Sequence, residues 1–416
     1  MKNVIEDVAC AGCCCVCDDI QLTTDGQQIT EVQTACPQGQ AWFQRSQQTD
    51  QLQPFIKGTP VSHAAAIQRA VALIQQAQSP LIYGMSQSST DAQRAAVALA
   101  DQIGATIDTG ASAATRALQQ VGEASCTLGE VRSRADLIIY WGADALLSNE
   151  CHRQSLKRGA SDFSRKVVAL SAEGTDFSAF VDQSISLTPG NELELIWCLR
   201  ALLKDLPQVE IESAGMKAAD LQSLVSLIQQ SRYIVFFFGP EFKQGPFAHR
   251  NIEALSLLVR EIQAERRCHT LNVPGAGETK GAETVLAWQT GYAASVNFAA
   301  GFPRYSPGEY AASHILEQAE TDLCILVGAQ PESGLSDLAR DRLAETPLIV
   351  VGPAAQEQRN SEVFLPTGVY GVHFPGVVYR LDGTPIPLRG YTPTLLPSED
   401  AVLAEISAQL KQARNP

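Results

Sequence analysis

The chain has 416 residues, enough for more than one lobe around a sizeable buried core. Its hydrophobic content of 45% is ordinary for a globular protein, and no run of about 18 apolar residues is present to span a membrane. The formal net charge of −14 argues against partners that are nucleic acids or anionic lipids.

Residues 1–55 read as a small Cys- and Gln-rich module. Met1 to Asp7 carries two carboxylates and no apolar stretch, so no secretory signal is expected and the expected location is the cytoplasm. Five of the 11 cysteines fall between Cys10 and Cys17, and a sixth is Cys36. In a reducing compartment such a cluster points to metal binding rather than disulfides. The pattern is Cys10-x2-Cys13-x3-Cys17, with Cys36-Pro37 following. Three thiolates in one loop and a fourth returning from a distant turn match the ligand set of an iron–sulfur cluster. Cys10, Cys13, Cys17 and Cys36 are therefore the candidate metal ligands. Cys14-x2-Cys17 is also present, so zinc remains an alternative, as does an empty relic of a cluster.

Beyond the module, continuous apolar runs alternate with helical stretches. Strands are predicted at Leu81–Gly84, Ala135–Gly142, Lys166–Leu170, Tyr233–Gly239, Asp322–Gly328 and Pro347–Gly352. A helix is predicted over Asp91–Ile103, capped by Thr90, and another over Asp400–Gln412. Runs without polar alternation fit strands buried on both faces of a parallel sheet. The expected fold class is doubly wound α/β with mostly parallel sheets in two lobes, 56–230 and 231–395, and a helical tail at 396–416. Arg134-Ala-Asp-Leu-Ile-Ile-Tyr-Trp-Gly-Ala-Asp144 echoes Glu320-Thr-Asp-Leu-Cys-Ile-Leu-Val-Gly-Ala-Gln330, as two similar lobes would. The glycines that end these strands mark either ligand-side turns or simple tight turns.

The isolated polar candidates carry bland expectations. His152 reads as a surface helix cap or a site residue. Arg304 and Glu309, which flank a Pro-rich loop, read as an internal ion pair holding that loop in preference to substrate contacts, and Arg153, Lys157 and Arg158 as a solvated helix face. No Ser-His-Asp order, phosphate-binding loop or His-Glu-x-x-His motif is present.

The cysteine pattern followed by Asp18-Asp19-Ile20 resembles the start of the formylmethanofuran dehydrogenase B subunits, a family with a molybdopterin-oxidoreductase-like fold. The likeness continues through Cys126-Thr127-Leu128-Gly129-Glu130-Val131, Trp288-Gln289-Thr290-Gly291-Tyr292 and the long block Gly301 to Glu309. It extends to Leu365-Pro366-Thr367, Tyr379 to Gly383 and Pro385-Ile386. The resemblance implies, for redox members, a bis-pterin molybdenum or tungsten centre and a four-iron cluster that interconvert carbon dioxide and formate. For bacterial relatives it implies a formyltransferase/hydrolase complex in one-carbon metabolism, linked to tetrahydromethanopterin and a methanofuran-like carrier. The implied partners are the amidohydrolase-type A subunit, the C subunit and the formyltransferase-type subunits of the same complex.

Redox members of the family carry a Cys-His-Gly stretch before the Thr-Leu-Gly-Glu motif, its cysteine ligating the metal. Here Thr109 to Arg116 contains neither Cys nor His, and Ser112 reads as an ordinary loop hydroxyl. Cys126 reads as structural. Gly368 to Gly376 lacks the acidic pair of the family, and only about 30 residues follow Pro385, too few for the closing barrel of larger relatives. The resulting expectation is a structural, non-redox B subunit with no catalytic residue of its own, a possible four-iron cluster and no secure pterin. The alternatives are an active dehydrogenase using molybdenum or tungsten and a free-standing binding protein.

Overall fold

The apolar runs become the strands of two principal sheets. The structure is a computed structural model that describes residues 2–49, 51–110, 112–157, 164–206, 215–243, 248–274, 280–328, 335–353 and 361–414, without the side chains of 46–48 and 112–116. The chain divides into two compact units: Met1–Ser112 with Gly277–Arg380 and Pro385–Pro416, and Ala113–Ala276 with Leu381–Thr384. The sequence-based lobes 56–230 and 231–395 thus each contribute to both units.

In the first unit a nine-stranded sheet runs, in spatial order, Arg304–Tyr305, Val296–Asn297, Thr106–Asp108, Pro80–Gly84, Leu323–Val327, Leu348–Gly352, Val363–Pro366, Phe55–Ile56 and Thr59–Pro60. The central five pair in parallel and the outer pairs are antiparallel. Residues Leu323–Val327 are buried throughout, as a strand covered by helices on both faces requires. Helices His63–Gln76, Thr90–Ile103 and Glu399–Arg414 supply apolar faces to this core, among them Ile67, Val97, Leu99 and Ile406. The helix predicted from Asp91 begins at Thr90. Its cap is Ser89, whose hydroxyl accepts from Ala92 N, so Thr90 is the first helical residue and not the cap. The same unit holds an antiparallel sheet of Asn3–Val8, Ile20–Thr24 and Ile29–Gln33, followed by helix Pro37–Thr49.

In the second unit five parallel strands are ordered Gln183–Leu187, Lys166–Ala172, Leu137–Trp141, Tyr233–Phe238 and Arg267–Asn272. Phe236 and Phe237 are wholly buried, on opposite faces of the central region. Truncating either to alanine would cost about 3–5 kcal/mol. No helix among the described residues is long and apolar enough to cross a membrane.

The acidic residue that precedes the echoed strands has one job in both units. Asp136 accepts hydrogen bonds from Arg232 N and Tyr233 N, and Asp322 accepts from Gln78 N and Ser79 N. Each carboxylate therefore anchors the amino end of the neighbouring parallel strand.

Candidate functional site

The cysteine loop leaves Val8 and is closed by a hydrogen bond from Cys10 N to Cys17 O of 2.8 Å. Inside it Gly12 N donates to Cys10 Sγ at 3.4 Å and Val16 N to Cys13 O at 3.2 Å. Val16 takes a positive φ of 39°, which turns the chain sharply within this short loop. Two glycines let the loop lie on the helix that follows Cys36. A Cβ on Gly12 would sit 2.9 Å from Gln38 O, and one on Gly39 would sit 3.1 Å from Cys10 Sγ and 4.0 Å from Cys36 Sγ. Cys36 O accepts the first-turn hydrogen bond from Gln40 N, so the Cys36 residue stands at the positive end of the helix.

Cys10, Cys13, Cys14 and Cys15 are buried, while Cys17 and Cys36 are half-buried. The structure thus brings Cys10 and Cys36 to one glycine and Cys10 and Cys17 to one backbone bond. Cys13 turns to Cys15. A hydrogen bond from the Cys15 thiol, chiefly, lowers Cys13 to about 7, and donating that bond holds Cys15 well above the ordinary thiol value. Among the described residues no group of three or more Cys, His, Asp or Glu side chains converges as the ligands of a single ion.

Beside the loop lies a polar cluster with no signature in the sequence. Tyr370 is buried and packs edge-on against Trp42, with ring centroids 5.0 Å apart. Its hydroxyl has no hydrogen-bond partner, and its acidity is suppressed by burial first, then by the nearby Glu399. Glu399 is itself only 5% exposed, and neither carboxyl oxygen is hydrogen-bonded. Burial pushes it up to about 8, despite the ionised form being favoured by the adjacent Ser88 hydroxyl. Ser88 Oγ is likewise buried without a hydrogen bond of good geometry. Arg45 lies over the Trp42 ring at 5.2 Å. Ser88 follows the carboxyl end of Pro80–Gly84, whose neighbour in the sheet is Leu323–Val327. The strand order reverses between those two strands, where ligands bind in open α/β sheets.

Asp108 ends the strand before the stretch where the family's metal-ligating cysteine would fall. It is buried and accepts from Ser295 N, Ser295 Oγ and Ala312 N. Desolvation nevertheless raises it. A helix, Ser112–Val121, begins where a loop was expected. Ala111 and the side chains of 112–116, including the Ser112 hydroxyl, lie outside the described residues.

The second unit reverses its strand order between Leu137–Trp141 and Tyr233–Phe238. The strands end on Gly142 and Gly239, and a Cβ on Gly239 would fall 2.0 Å from Gly142 O. These glycines are thus required by close backbone approach. Asp144 and Glu241 stand just beyond them, both raised chiefly by burial.

Several single-residue expectations are corrected or refined. His152 is no surface cap. It is 1% exposed, its Nε2 lies 2.8 Å from the Tyr140 hydroxyl, and burial lowers it to about 3. Arg304 makes no ion pair with Glu309 among the described residues, and its guanidinium lies over the Tyr310 ring at 5.8 Å instead. Arg153 is not simply solvated, since it donates to Leu147 O and covers the Phe180 ring. Arg158 lies outside the described residues. Cys126 is buried and pushed up to about 12, chiefly by that burial, as an inert structural thiol would be.

The two sheets, each reversing its strand order at one point, define a doubly wound α/β protein. Its fold is shared by the formyltransferase/hydrolase complex FhcABCD from Methylorubrum extorquens, solved in complex with methylofuran, at a TM-score of 0.72 and 21% identity over 87% of this chain and 100% of that one. It is shared also by acetylene hydratase from Pelobacter acetylenicus, at a TM-score of 0.71 and 11% identity over 99% of this chain and 70% of that one. No protein-family profile matches the chain. The sequence is 30% identical, over 94% of both chains, to the B subunit of tungsten-containing formylmethanofuran dehydrogenase 2 from Methanocaldococcus jannaschii. It is 25% identical to the B subunit of the formyltransferase/hydrolase complex Fhc from Methylorubrum extorquens, over 78% of this chain and 88% of that one. The chain belongs to the family of formylmethanofuran dehydrogenase B subunits.

Proposed function

We propose that this chain is the structural, non-redox B subunit of a cytoplasmic formyltransferase/hydrolase-type complex in one-carbon metabolism. The observation that carries the reading is the Thr109–Arg116 stretch of a chain otherwise collinear with the family, which offers no Cys or His to a metal. A soft metal with an open coordination position takes a thiolate or an equivalent ligand to set its potential. The residues present do not fit a thiolate-ligated molybdenum or tungsten centre, and no redox step is derived through one.

The four thiols Cys10, Cys13, Cys17 and Cys36 are proposed to hold a four-iron cluster in a Cys-rich N-terminal module. Their donor chemistry, the glycine approaches at Gly12 and Gly39 and the helix start at Cys36 support this. Bound there, a cluster would serve as a structural clamp. The chain's own residues orient the loop through the Cys10–Cys17 bond and exclude water through Val16 and Trp42, both buried.

The partners are proposed to be the amidohydrolase-type A subunit, the C subunit and the formyltransferase-type subunits of such a complex. Phe302, in the Gly301–Tyr310 block, and Trp288 are 59% and 60% exposed, as anchors of an interface between subunits would be in an isolated chain. The test is purification of the native complex with iron, molybdenum and tungsten quantified. The expected result is co-purifying partners, iron, no stoichiometric molybdenum or tungsten, and no formate oxidation with artificial electron acceptors. Formate oxidation with stoichiometric tungsten or molybdenum would instead establish the second reading, an active dehydrogenase. That reading is favoured by the match to the tungsten-containing relative, which is longer and closer than the match to the Fhc protein.

A further inference from the structure

Buried polar groups in folded proteins are nearly always hydrogen-bonded, so a place where several lack partners calls for a ligand or ordered water. The first unit has such a place. Trp42 Nε1, Ser88 Oγ, the Tyr370 hydroxyl and both Glu399 oxygens are buried without a hydrogen bond, in residues no more than 6% exposed. These residues, with Arg45 and Gln87, come from four separate stretches of the chain and close on one another in a ring. The Trp42 ring meets that of Tyr370 at 5.0 Å, and the Arg45 guanidinium lies 5.2 Å from the same Trp42 ring. Arg45 Nη1 reaches Gln87 Oε1 at 3.5 Å, and Gln87 is joined to Ser88. The Ser88 hydroxyl lies against the Glu399 carboxyl. That carboxyl in turn comes near enough to Tyr370 to act on its acidity, second only to burial. Every link is made within the first unit.

The ring is rich in donors. Trp42 N–H and Arg45 only donate, and the Ser88 and Tyr370 hydroxyls each have a proton to give. Burial raises Glu399 to about 8, so its carboxyl keeps its proton at neutral pH and donates as well. Arg45 is half-buried, and no ion pair joins it among the described residues. The contact of its guanidinium with Gln87 is at the outer limit of a hydrogen bond. The other ionisable groups that act on the ring are Cys10, near Tyr370, and Asp400, beside Glu399.

We propose that this ring binds a single small oxyanion (a monocarboxylate, bicarbonate or phosphate), with Arg45 supplying the charge and Trp42, Ser88, Tyr370 and Glu399 the hydrogen bonds. Proton-bearing groups around one cation select an acceptor of negative charge. An ordered water would satisfy the hydroxyls but would leave the Arg45 charge without a counterion. The proposal concerns these side chains alone. It does not rest on the non-redox reading or on metal at the cysteine loop, and its failure leaves both as they stand.

The test is calorimetric titration of the full chain with sodium acetate, bicarbonate and phosphate, each against chloride at equal ionic strength to remove general screening. At least one of the three should bind saturably and raise the melting temperature above that in chloride, and their ranking identifies the class of anion. Arg45→Gln should weaken that binding on the order of tenfold or more, and Tyr370→Phe about fivefold. In chloride, Tyr370→Phe should melt no lower than the wild type, because the hydroxyl it removes has no partner in the fold. A lower melting temperature there would give the hydroxyl a structural duty and overturn its place in the site. The proposal as a whole is overturned if none of the three anions binds better than chloride. It is also overturned if Arg45→Gln and Tyr370→Phe both bind within about twofold of the wild type, which would leave an adventitious ion only.

Discussion

The Glu399 carboxyl lies against the Ser88 hydroxyl in the interior of the first unit, and neither group makes a hydrogen bond of good geometry. Glu399 opens the C-terminal helix, and Ser88 follows the carboxyl end of a central strand, so their meeting couples the tail to the ligand-side edge of the sheet. Burial raises the folded-state acid to about 8 from an ordinary value of 4.5. Between those values the unfolded chain has released the proton and the folded chain still holds it. The unfolded state therefore binds fewer protons, and this group's contribution to stability is fully present below about pH 4.5 and is lost as pH rises towards 8. The slope in that window is at most about 1.4 kcal/mol per pH unit. Glu399→Gln should flatten it, so the melting temperature of the variant should exceed that of the wild type increasingly from pH 5 to pH 8. Parallel melting curves for the two proteins across that range would refute the assignment.

The glycine contacts of the cysteine loop differ in what opposes them. At Gly12 an added methyl would meet Gln38 O, a helix carbonyl that cannot yield cheaply, and at Gly39 it would press on Cys10 Sγ. Gly12→Ala should destabilise the chain by about 1–3 kcal/mol. Gly39→Ala should displace the thiol and lower bound iron more than it lowers stability. Denaturant melts paired with iron assays on both variants separate the two effects.

Cys36→Ala should sharply reduce the iron bound per chain, while Cys14→Ser should leave it close to the wild type. The proposed ligand pattern includes the first and omits the second. Equal iron in all three proteins, measured after anaerobic purification, would remove Cys36 from the ligand set.

Asp136 and Asp322 should prove equivalent despite lying in different units. Each accepts two backbone N–H bonds at the start of a parallel strand, the shortest being 2.9 Å and 2.7 Å. Alanine at either position should cost about 1.5–3 kcal/mol, because charge-assisted bonds to backbone donors are lost. Asparagine should cost less, since its oxygen still accepts. A urea titration in which Asp136→Ala matches the wild type would contradict the shared role.

The strands were legible because a strand buried on both faces must be apolar throughout, and Leu137–Trp141, Tyr233–Phe238 and Leu323–Val327 are so in sequence and structure alike. The repeated Arg-x-Asp and Glu-x-Asp leads were visible too, though not their function, because an anchor is defined by the strand it meets. The cap of Thr90–Ile103 lies one residue earlier than the sequence suggested, as adjacent Ser89 and Thr90 are chemically interchangeable caps until backbone geometry chooses between them.

By itself, the sequence determined the family, the α/β class, the four candidate thiols and the missing Cys and His of 109–116, since each is a matter of residue type and spacing along the chain. Only the tertiary structure decided that His152 is a buried partner of Tyr140, and that Glu399 and Cys10 come near enough to Tyr370 to act on its acidity. Residue type fixes what a side chain can do. Burial and neighbours, which bring together positions as distant as Ser88 and Glu399, fix its charge and its partners.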